Sequence, residues 1–373
     1  MHEGHNPESI RVLHVGPGWG QRGGIASVLN ELRQLDEMFA AQGVDLRFCE
    51  THGSRGIAGM LCFPTSDIPR FVRHLAAGVE IVHLHVSIRG SFFRKFALFM
   101  IARALRRKVV FHLHAGNFSS FLRSSKRFIA SAARTFLRGS QSIVGVSTAI
   151  GEEIVVLGAD PARLFIIANS ARGAEHAFAD DAERTPEAAH RRPTILFAGR
   201  LADRKGIGEL LQAVAILAGQ GVEATLMLAG SGDEHRWRNE AERLGIRDHV
   251  TFPGWLEGDE KLACYRSAQI FCMPSHYEAF GIATLEAMFA RLPIVGTRVG
   301  GFFDLVDEGR SGILVAPSNP GQIAQALGKL ITDPALALTM GQQGQARANS
   351  RFSCDAIVKR YVEMYRKTMR EQQ

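Results

Sequence analysis

From 194 to 297 short apolar runs alternate with amphipathic stretches unit by unit, a pattern that few folds can satisfy. Strands read over 194–198, 224–229, 249–252, 269–273 and 293–297. Helices read over 206–219, 234–244, 258–267 and 282–290, and Gly300-Gly301 with a short helix follow. Runs such as Ile270-Phe271-Cys272-Met273 are apolar at every position, as strands are in a parallel sheet covered on both faces. The first half alternates as well, with strands over 11–15, 44–49, 81–85, 109–114, 142–146 and 164–168. The expectation is an α/β chain of two doubly wound parallel sheets.

At 373 residues the chain is long enough for two domains, each with a buried core. Its 46% hydrophobic and 22% charged residues are those of a globular soluble protein. The polar segment 179–193, with two prolines, reads as a linker, which divides the chain into 1–185 and 186–350. The remainder, 351–373, carries an amphipathic basic helix over 352–367. Five cysteines without a C-x-x-C pair point to a reducing cytosol. The first ten residues lack a basic stretch followed by an apolar run, so no signal peptide is expected. The most apolar segment, 92–105, is interrupted by Arg94, Lys95 and Arg103 and falls short of the ~20 residues a span requires.

The net charge of +7 is unevenly placed, for no Asp or Glu occurs between Glu80 and Glu152. Within that interval, 91–108 and 117–139 mix phenylalanines with Arg and Lys at helix-compatible spacing. Such segments can lie on an anionic membrane, or they can cover a sheet with the rings in the core. No helix-turn-helix, zinc-finger or RNA-binding signature accompanies the charge, so nucleic acid is not an expected partner.

The chemistry concentrates in 274–286, PSHYEAFGIATLE, which runs from a strand through a loop into a helix. Amides from Phe280 through Gly281 and Ile282 fall at the helix start, where they lack intrahelical partners and the dipole is positive. A phosphate fits such a turn, and Gly281 lets it approach the backbone. Glu278 and Glu286 bracket the turn, roughly 12 Å apart if the interval were wholly helical. Each carboxylate can accept hydrogen bonds from a diol, Glu286 from a ribose and Glu278 from a sugar beyond the phosphates. The same spacing also suits two solvated charges that favour the helix dipole. Arg200 and Lys205 sit in the loop after the 194–198 strand, at the same sheet edge, where cations can stabilise a departing diphosphate.

In the first half, Gly16, Gly18, Gly20, Gly23 and Gly24 make a loop that admits a ligand to the backbone. Gly18, Gly20 and Gly23 have the G-x-G-x-x-G spacing, but a glycine-rich loop after a first strand is by itself weak evidence for a dinucleotide site, since many doubly wound domains carry one. Two strands end in His83-Leu84-His85 and His112-Leu113-His114. Residues i and i+2 share a strand face, so four imidazoles could converge on zinc. No carboxylate or cysteine completes an evident set, and no metal is expected. His114 stands at the carboxyl edge of its sheet, where such folds bind ligands.

EAFGIATLE resembles the E-x7-E signature of retaining glycosyltransferase family 4. GRLADRKG matches that family's G-R-L-x-x-x-K-G, and GSGDE (230–234), VTFPGWLEGDE and VGGFFDLVDEGRSGILV resemble further segments of it. Asp304 stands where the family has a glutamate, and Asn169-Ser170 departs from its Asn-Gly. The resemblance covers most of 10–370 and is strongest over 194–316. It implies the GT-B fold, two Rossmann-like domains facing across a cleft, with the final helix returning to the first, acceptor-side domain. It also implies that Arg200 and Lys205 bind the donor phosphates, that Gly23-Gly24 lie against the diphosphate, and that His114 meets the donor sugar.

The resulting expectation is a metal-independent hexosyltransferase with no cofactor beyond its donor. A hexose would pass from a GDP- or UDP-sugar, with GDP-mannose favoured, to a lipid-linked or oligosaccharide acceptor in cell-surface polysaccharide synthesis. Such an enzyme would be cytoplasmic and peripheral on the inner face of the membrane. Two rivals fit parts of the pattern: a sugar-nucleotide epimerase of the same fold, and a non-catalytic nucleotide-binding module that recruits a polysaccharide complex.

Overall fold

The computed structural model describes residues 9–18, 23–52, 62–179 and 192–371, so Gly20 and most of the 179–193 linker lie outside the described residues. Two parallel six-stranded sheets form separate units. The first holds β1 (Ile10–Pro17), β2 (Val44–Thr51), β3 (Ile81–Val86), β4 (Lys108–Leu113), β5 (Ser142–Gly145) and β6 (Leu164–Ile166). Their order is β2-β1-β3-β4-β5-β6. The second holds β7 (Thr194–Ala198), β8 (Thr225–Ala229), β9 (Val250–Gly254), β10 (Ile270–Met273), β11 (Ile294–Thr297) and β12 (Gly312–Val315) in the order β12-β11-β10-β7-β8-β9. Helices connect the strands, and each sheet reverses its winding once, next to β1 and next to β7. Both units are Rossmann-like.

The first unit comprises Met1–Ser170 and Cys354–Gln373, the second Ala171–Ser353. The division thus falls at 170/171 rather than at 185/186, ahead of the polar segment. The reason is packing: the Arg172–Ala177 helix lies on the Ile282–Phe289 helix, and the Phe178 ring meets Tyr265 edge-on. The second division falls at 353/354, close to the 350/351 read from the sequence.

The acid-free interval divides its phenylalanines between core and surface. Phe92, Phe99, Phe111, Phe118 and Phe136 are buried and in ring contact, with Phe99 and Phe136 4.6 Å apart and Phe111 edge-on to Phe136 at 4.8 Å. Each buried ring contributes about 1.5–3 kcal/mol. Phe93 and Phe128 instead point to solvent, 45% and 62% exposed, on helices whose outer positions carry Arg103, Arg127 and Arg134. No helix among the described residues is long and apolar enough to cross a membrane.

The Cys354–Arg370 helix packs on β3 and β4, burying Ile357, Val358, Tyr361, Val362, Met364 and Tyr365. Thr368 Oγ1 meets Ser142 Oγ at 2.7 Å, and Lys108 Nζ donates to the Met369 carbonyl at 2.8 Å. Between this helix and the sheet lies a layer of imidazoles. His14 pairs in register with His83, and His85 with His112. With His114 they form a hydrogen-bonded set that includes the Tyr365 hydroxyl.

Burial keeps these imidazoles neutral. It lowers His14 and His114 to about 3, and His83, His85 and His112 well below the ordinary 6.5. Lys95, buried with its Nζ 2.6 Å from Thr51 Oγ1, is lowered by burial from 10.5 to about 7. In every case the unfolded chain binds the proton first, so stability rises with pH between the folded and unfolded values and is lost as pH falls. Between pH 9 and 7 the Lys95 window is open; above pH 9 the buried thiols and phenols, which burial raises, act with the opposite sign. Below about 6.5 the histidine windows open together, and each added proton steepens the loss by about 1.4 kcal/mol per pH unit. Thermal melts at stepped pH should therefore show a shallow fall in Tm from pH 9 to 7 and a steep fall below 6.5. A Tm unchanged from pH 7 to pH 5 would contradict this.

Candidate functional site

In the second unit the winding reverses between β7 and β10, and the loops that leave the carboxyl ends of these two strands stand side by side. Open α/β sheets bind ligands at that place. The first loop runs from Gly199 to Gly206 and carries Arg200 and Lys205; the second runs from Pro274 to Gly281 and carries Glu278.

Backbone contacts fix both loops. Gly206 has φ 71°, and a Cβ there would lie 2.1 Å from the Pro274 carbonyl oxygen. The His276 amide donates to the Arg204 carbonyl at 2.9 Å. On the other flank a Cβ at Gly300 would lie 1.9 Å from the Glu278 carbonyl oxygen, and one at Gly301 2.4 Å from Phe280 Cα. The Gly301 amide donates to the Glu278 carbonyl at 3.0 Å. The loop after β8 is pressed equally close, since a Cβ at Gly232 would lie 2.3 Å from the Leu201 carbonyl oxygen. The glycines of GRLADRKG, GSGDE and VGG therefore let four loops run in backbone contact.

This packing joins Lys205 to Glu278. Lys205 Nζ lies 2.5 Å from Glu278 Oε2, and each side chain is only 12% exposed. Arg200 is exposed and has no hydrogen bond or ion pair to any described residue. Gly281, at φ 103°, caps the Ile282–Phe289 helix; no side chain caps that helix start, and its first turn holds no acidic residue. The first-turn amides are thus free of side-chain partners among the described residues.

Phe280 offers the loop its backbone, since its side chain is 2% exposed and meets Phe352 edge-on at 5.9 Å. Ile282, the first residue of the helix, is half-buried. Glu286, one turn inside, is held at both oxygens, by Lys261 Nζ at 2.6 Å and by the Tyr265 hydroxyl at 2.7 Å. Burial, together with the Glu286 charge, holds the Tyr265 hydroxyl well above its ordinary value, so it donates as a neutral phenol. Each Glu286 oxygen keeps a lone pair for another donor. The sequence reading missed Lys261 and Tyr265, although their i, i+4 spacing on the Gly258–Ser267 helix puts both on one face. A separate cavity, lined by Asp203, Glu209, Arg236 and His276 among others, includes none of Arg200, Lys205, Glu278 or Glu286.

In the first unit Gly23 and Gly24 open the Gly24–Gln34 helix, and a Cβ at either would meet nothing within 4 Å. His114 follows β4, its amide bound to the Val86 carbonyl at 3.0 Å and its ring half-buried against His85. The four histidines seen in the sequence do converge, and they gather His14 as a fifth. Two groups of three, His14-His83-His85 and His85-His112-His114, bring their ring nitrogens within 4.8 Å of one another.

The chain is similar to known proteins along most of its length. Residues 3–170 match the family described as Glycosyl transferase 4-like domain, and residues 179–347 match Glycosyl transferases group 1. An uncharacterized glycosyltransferase of Methanocaldococcus jannaschii is 35% identical over 176 residues, 47% of this chain and 45% of that protein. A D-inositol 3-phosphate glycosyltransferase of Corynebacterium jeikeium is 37% identical over 183 residues, 47% of this chain and 43% of its own. The chain spans about half the length of the curated relatives it matches. Among solved structures, the Anabaena protein HepE in complex with UDP and glucose has a TM-score of 0.72 at 18% identity, covering 95% of this chain and 98% of that one.

Gly206→Ala tests whether the two loops depend on backbone contact. Positive φ and the Pro274 carbonyl both oppose a Cβ, so the variant should lose more than about 1 kcal/mol of stability. A denaturant melt indistinguishable from that of the unaltered protein would show that the loops are not clamped there.

Proposed function

We propose that the chain, whose residues 3–170 and 179–347 match two glycosyltransferase families, transfers a hexose, with retention, from a nucleoside diphosphate sugar to a hydroxyl of a lipid-linked or oligosaccharide acceptor. The observation that carries this reading is the uncapped helix start at Gly281, placed at a strand-order reversal beside Arg200 and the Lys205–Glu278 pair. A diphosphate seated on the helix start meets amide dipoles and two cations, which neutralise the charge that grows as the nucleoside diphosphate leaves. These groups take the place that a metal ion fills in other transferases.

Glu286 receives the ribose hydroxyls. Lys261 and Tyr265 orient its carboxylate for that purpose and hold it when no nucleotide is bound. Glu278 accepts from the hexose, and Lys205 holds its carboxylate in place. His114 is proposed as a contact of the donor sugar, and the Gly23-Gly24 backbone as a contact of its diphosphate. The acceptor hydroxyl attacks the same face of the sugar that the phosphate leaves, and the departing phosphate takes its proton. GDP-mannose and UDP-hexoses are the donors proposed, and assembly of a cell-surface polysaccharide is the setting. The exposed Phe93 and Phe128, among exposed arginines, dock the protein on the anionic cytoplasmic face of a membrane where a lipid-linked acceptor lies.

Release of nucleoside diphosphate from a panel of GDP- and UDP-sugars, with and without membrane extract, tests the reaction. Release from one donor that depends on extract, and that falls about 10²-fold or more in Glu278→Gln, is expected. Conversion of the sugar nucleotide without acceptor would favour the epimerase, and nucleotide binding without turnover would favour the recruiting module. Gly24→Ala separates function from fold: its Cβ meets nothing, so Tm should hold or rise while the donor KM increases. An unchanged KM would remove Gly24 from the site. For the membrane, Phe93→Ser with Phe128→Ser should abolish co-sedimentation with anionic vesicles at unchanged Tm, since both rings are exposed. Full activity on a lipid-free acceptor, with no vesicle binding by the unaltered protein, would remove the membrane from the account.

A further inference from the structure

The five imidazoles of the first unit are joined end to end. His114 Nε2 lies 2.8 Å from His85 Nδ1, and His85 Nε2 lies 2.8 Å from His14 Nδ1. His14 Nε2 is 2.9 Å from the Tyr365 hydroxyl, which is 2.9 Å from His83 Nδ1. His83 Nε2 is 3.0 Å from His112 Nδ1. His112 Nε2, at the inner end, is buried and has no partner among the described residues. The outer end is His114 Nδ1, on the one half-buried ring of the set.

These contacts make a chain rather than a metal cluster. Each ring nitrogen inside it faces one other polar atom at hydrogen-bond distance, whereas nitrogens sharing a zinc at 2.0–2.1 Å in tetrahedral array stand about 3.3 Å apart around one centre. A neutral imidazole has one N–H and one bare nitrogen, so each ring must donate on one side and accept on the other, and the phenol must donate to one neighbour and accept from the other if its O–H is not to be left without a partner in the core. Only two arrangements make all five bonds and also use the Tyr365 O–H: every ring carries its proton on Nδ1, or every ring carries it on Nε2; a third, in which His14 and His83 both donate to the Tyr365 oxygen, leaves that O–H buried without a partner in the set. Any other mixed arrangement leaves two donors, or two acceptors, facing each other in the core.

The inner end chooses between the two. With protons on Nε2, His112 would bury an N–H without a partner; with protons on Nδ1 it buries only an unused acceptor, the commoner and cheaper defect in folded proteins. Because the chain stops at His112, it holds an arrangement of protons and does not carry them through. We propose that it is a tautomer lock, which keeps His114 neutral with its proton on Nδ1, as a hydrogen-bond donor to the sugar of the donor substrate. Tyr365, His14 and His85 are then positioning residues that act through His114. The lock itself rests on the first unit alone; its use in transfer rests on the reading that His114 meets the sugar.

Long-range 1H–15N spectra of protein labelled at histidine read the tautomers directly. All five rings should be neutral and protonated on Nδ1. A ring of the set protonated on Nε2, or stoichiometric zinc in the purified protein, overturns the lock. Tyr365→Phe keeps the ring volume and cuts the chain in the middle. His14, His85 and His114 should then show mixed tautomers, and kcat/KM for the donor sugar should fall about tenfold, as for one lost hydrogen bond, with affinity for the free nucleoside diphosphate unchanged. Unaltered tautomers in that variant, or mixed tautomers with kcat/KM unchanged, would overturn the positioning role. Should the variant not fold, the spectrum of the unaltered protein still decides the lock. Absence of transfer by the unaltered protein, with its tautomers as described, would refute the transferase reading and leave the lock standing.

Discussion

The Pro274–Gly281 turn is held by backbone on both flanks, and the second unit's site depends on that. Gly206 presses on Pro274, and Gly300-Gly301 press on Glu278 and Phe280 at distances that leave no room for a side chain. Parallel strands deliver their loops to one edge of the sheet, and the reversal between β7 and β10 sets two of these loops side by side. Lys205 reaches Glu278 because the backbones beneath them touch. The ion pair is a result of the clamp, and the free amides at Gly281 are the opening it leaves.

The first unit is organised by a different constraint. A layer of imidazoles would be costly inside a core unless each nitrogen found a partner. The partners come from neighbouring strands in register and from Tyr365 on the last helix. The helix that closes the chain is therefore tied to the first unit by polar groups as well as by Ile357, Val358 and Met364. This explains how a sheet face that carries His at five positions stays folded near neutral pH, and why acid should undo it.

Much of the fold was legible because parallel strands are apolar at every position and their loops are punctuated by glycine. The strand read at 194–198 and the helix read at 258–267 coincide with the observed elements. The Glu278, Arg200 and Lys205 positions were legible because each sits in a short loop whose spacing is fixed by backbone packing. What stayed hidden depends on contacts between distant elements. Phe280 reads as a site residue from its place beside Gly281, yet its ring turns into the core against Phe352. Lys261 and Tyr265 reach Glu286 from another helix, and Lys95 reaches Thr51 on β2 across the sheet. His14 stands alone on its strand, and nothing near it in sequence shows that its partners are His85 and Tyr365. The division at 170/171 was hidden in the same way, since the Arg172–Ala177 helix precedes the polar segment and still packs with the second unit.

The central claim is that the helix start at Gly281 holds a diphosphate. A crystal structure of the protein soaked with its nucleoside diphosphate tests it most directly. The account predicts phosphate oxygens within hydrogen-bond distance of the first-turn amides, Arg200 turned onto them, and ribose hydroxyls on Glu286. A nucleotide bound elsewhere, with the Lys205–Glu278 pair and the Glu286 contacts undisturbed, would contradict it.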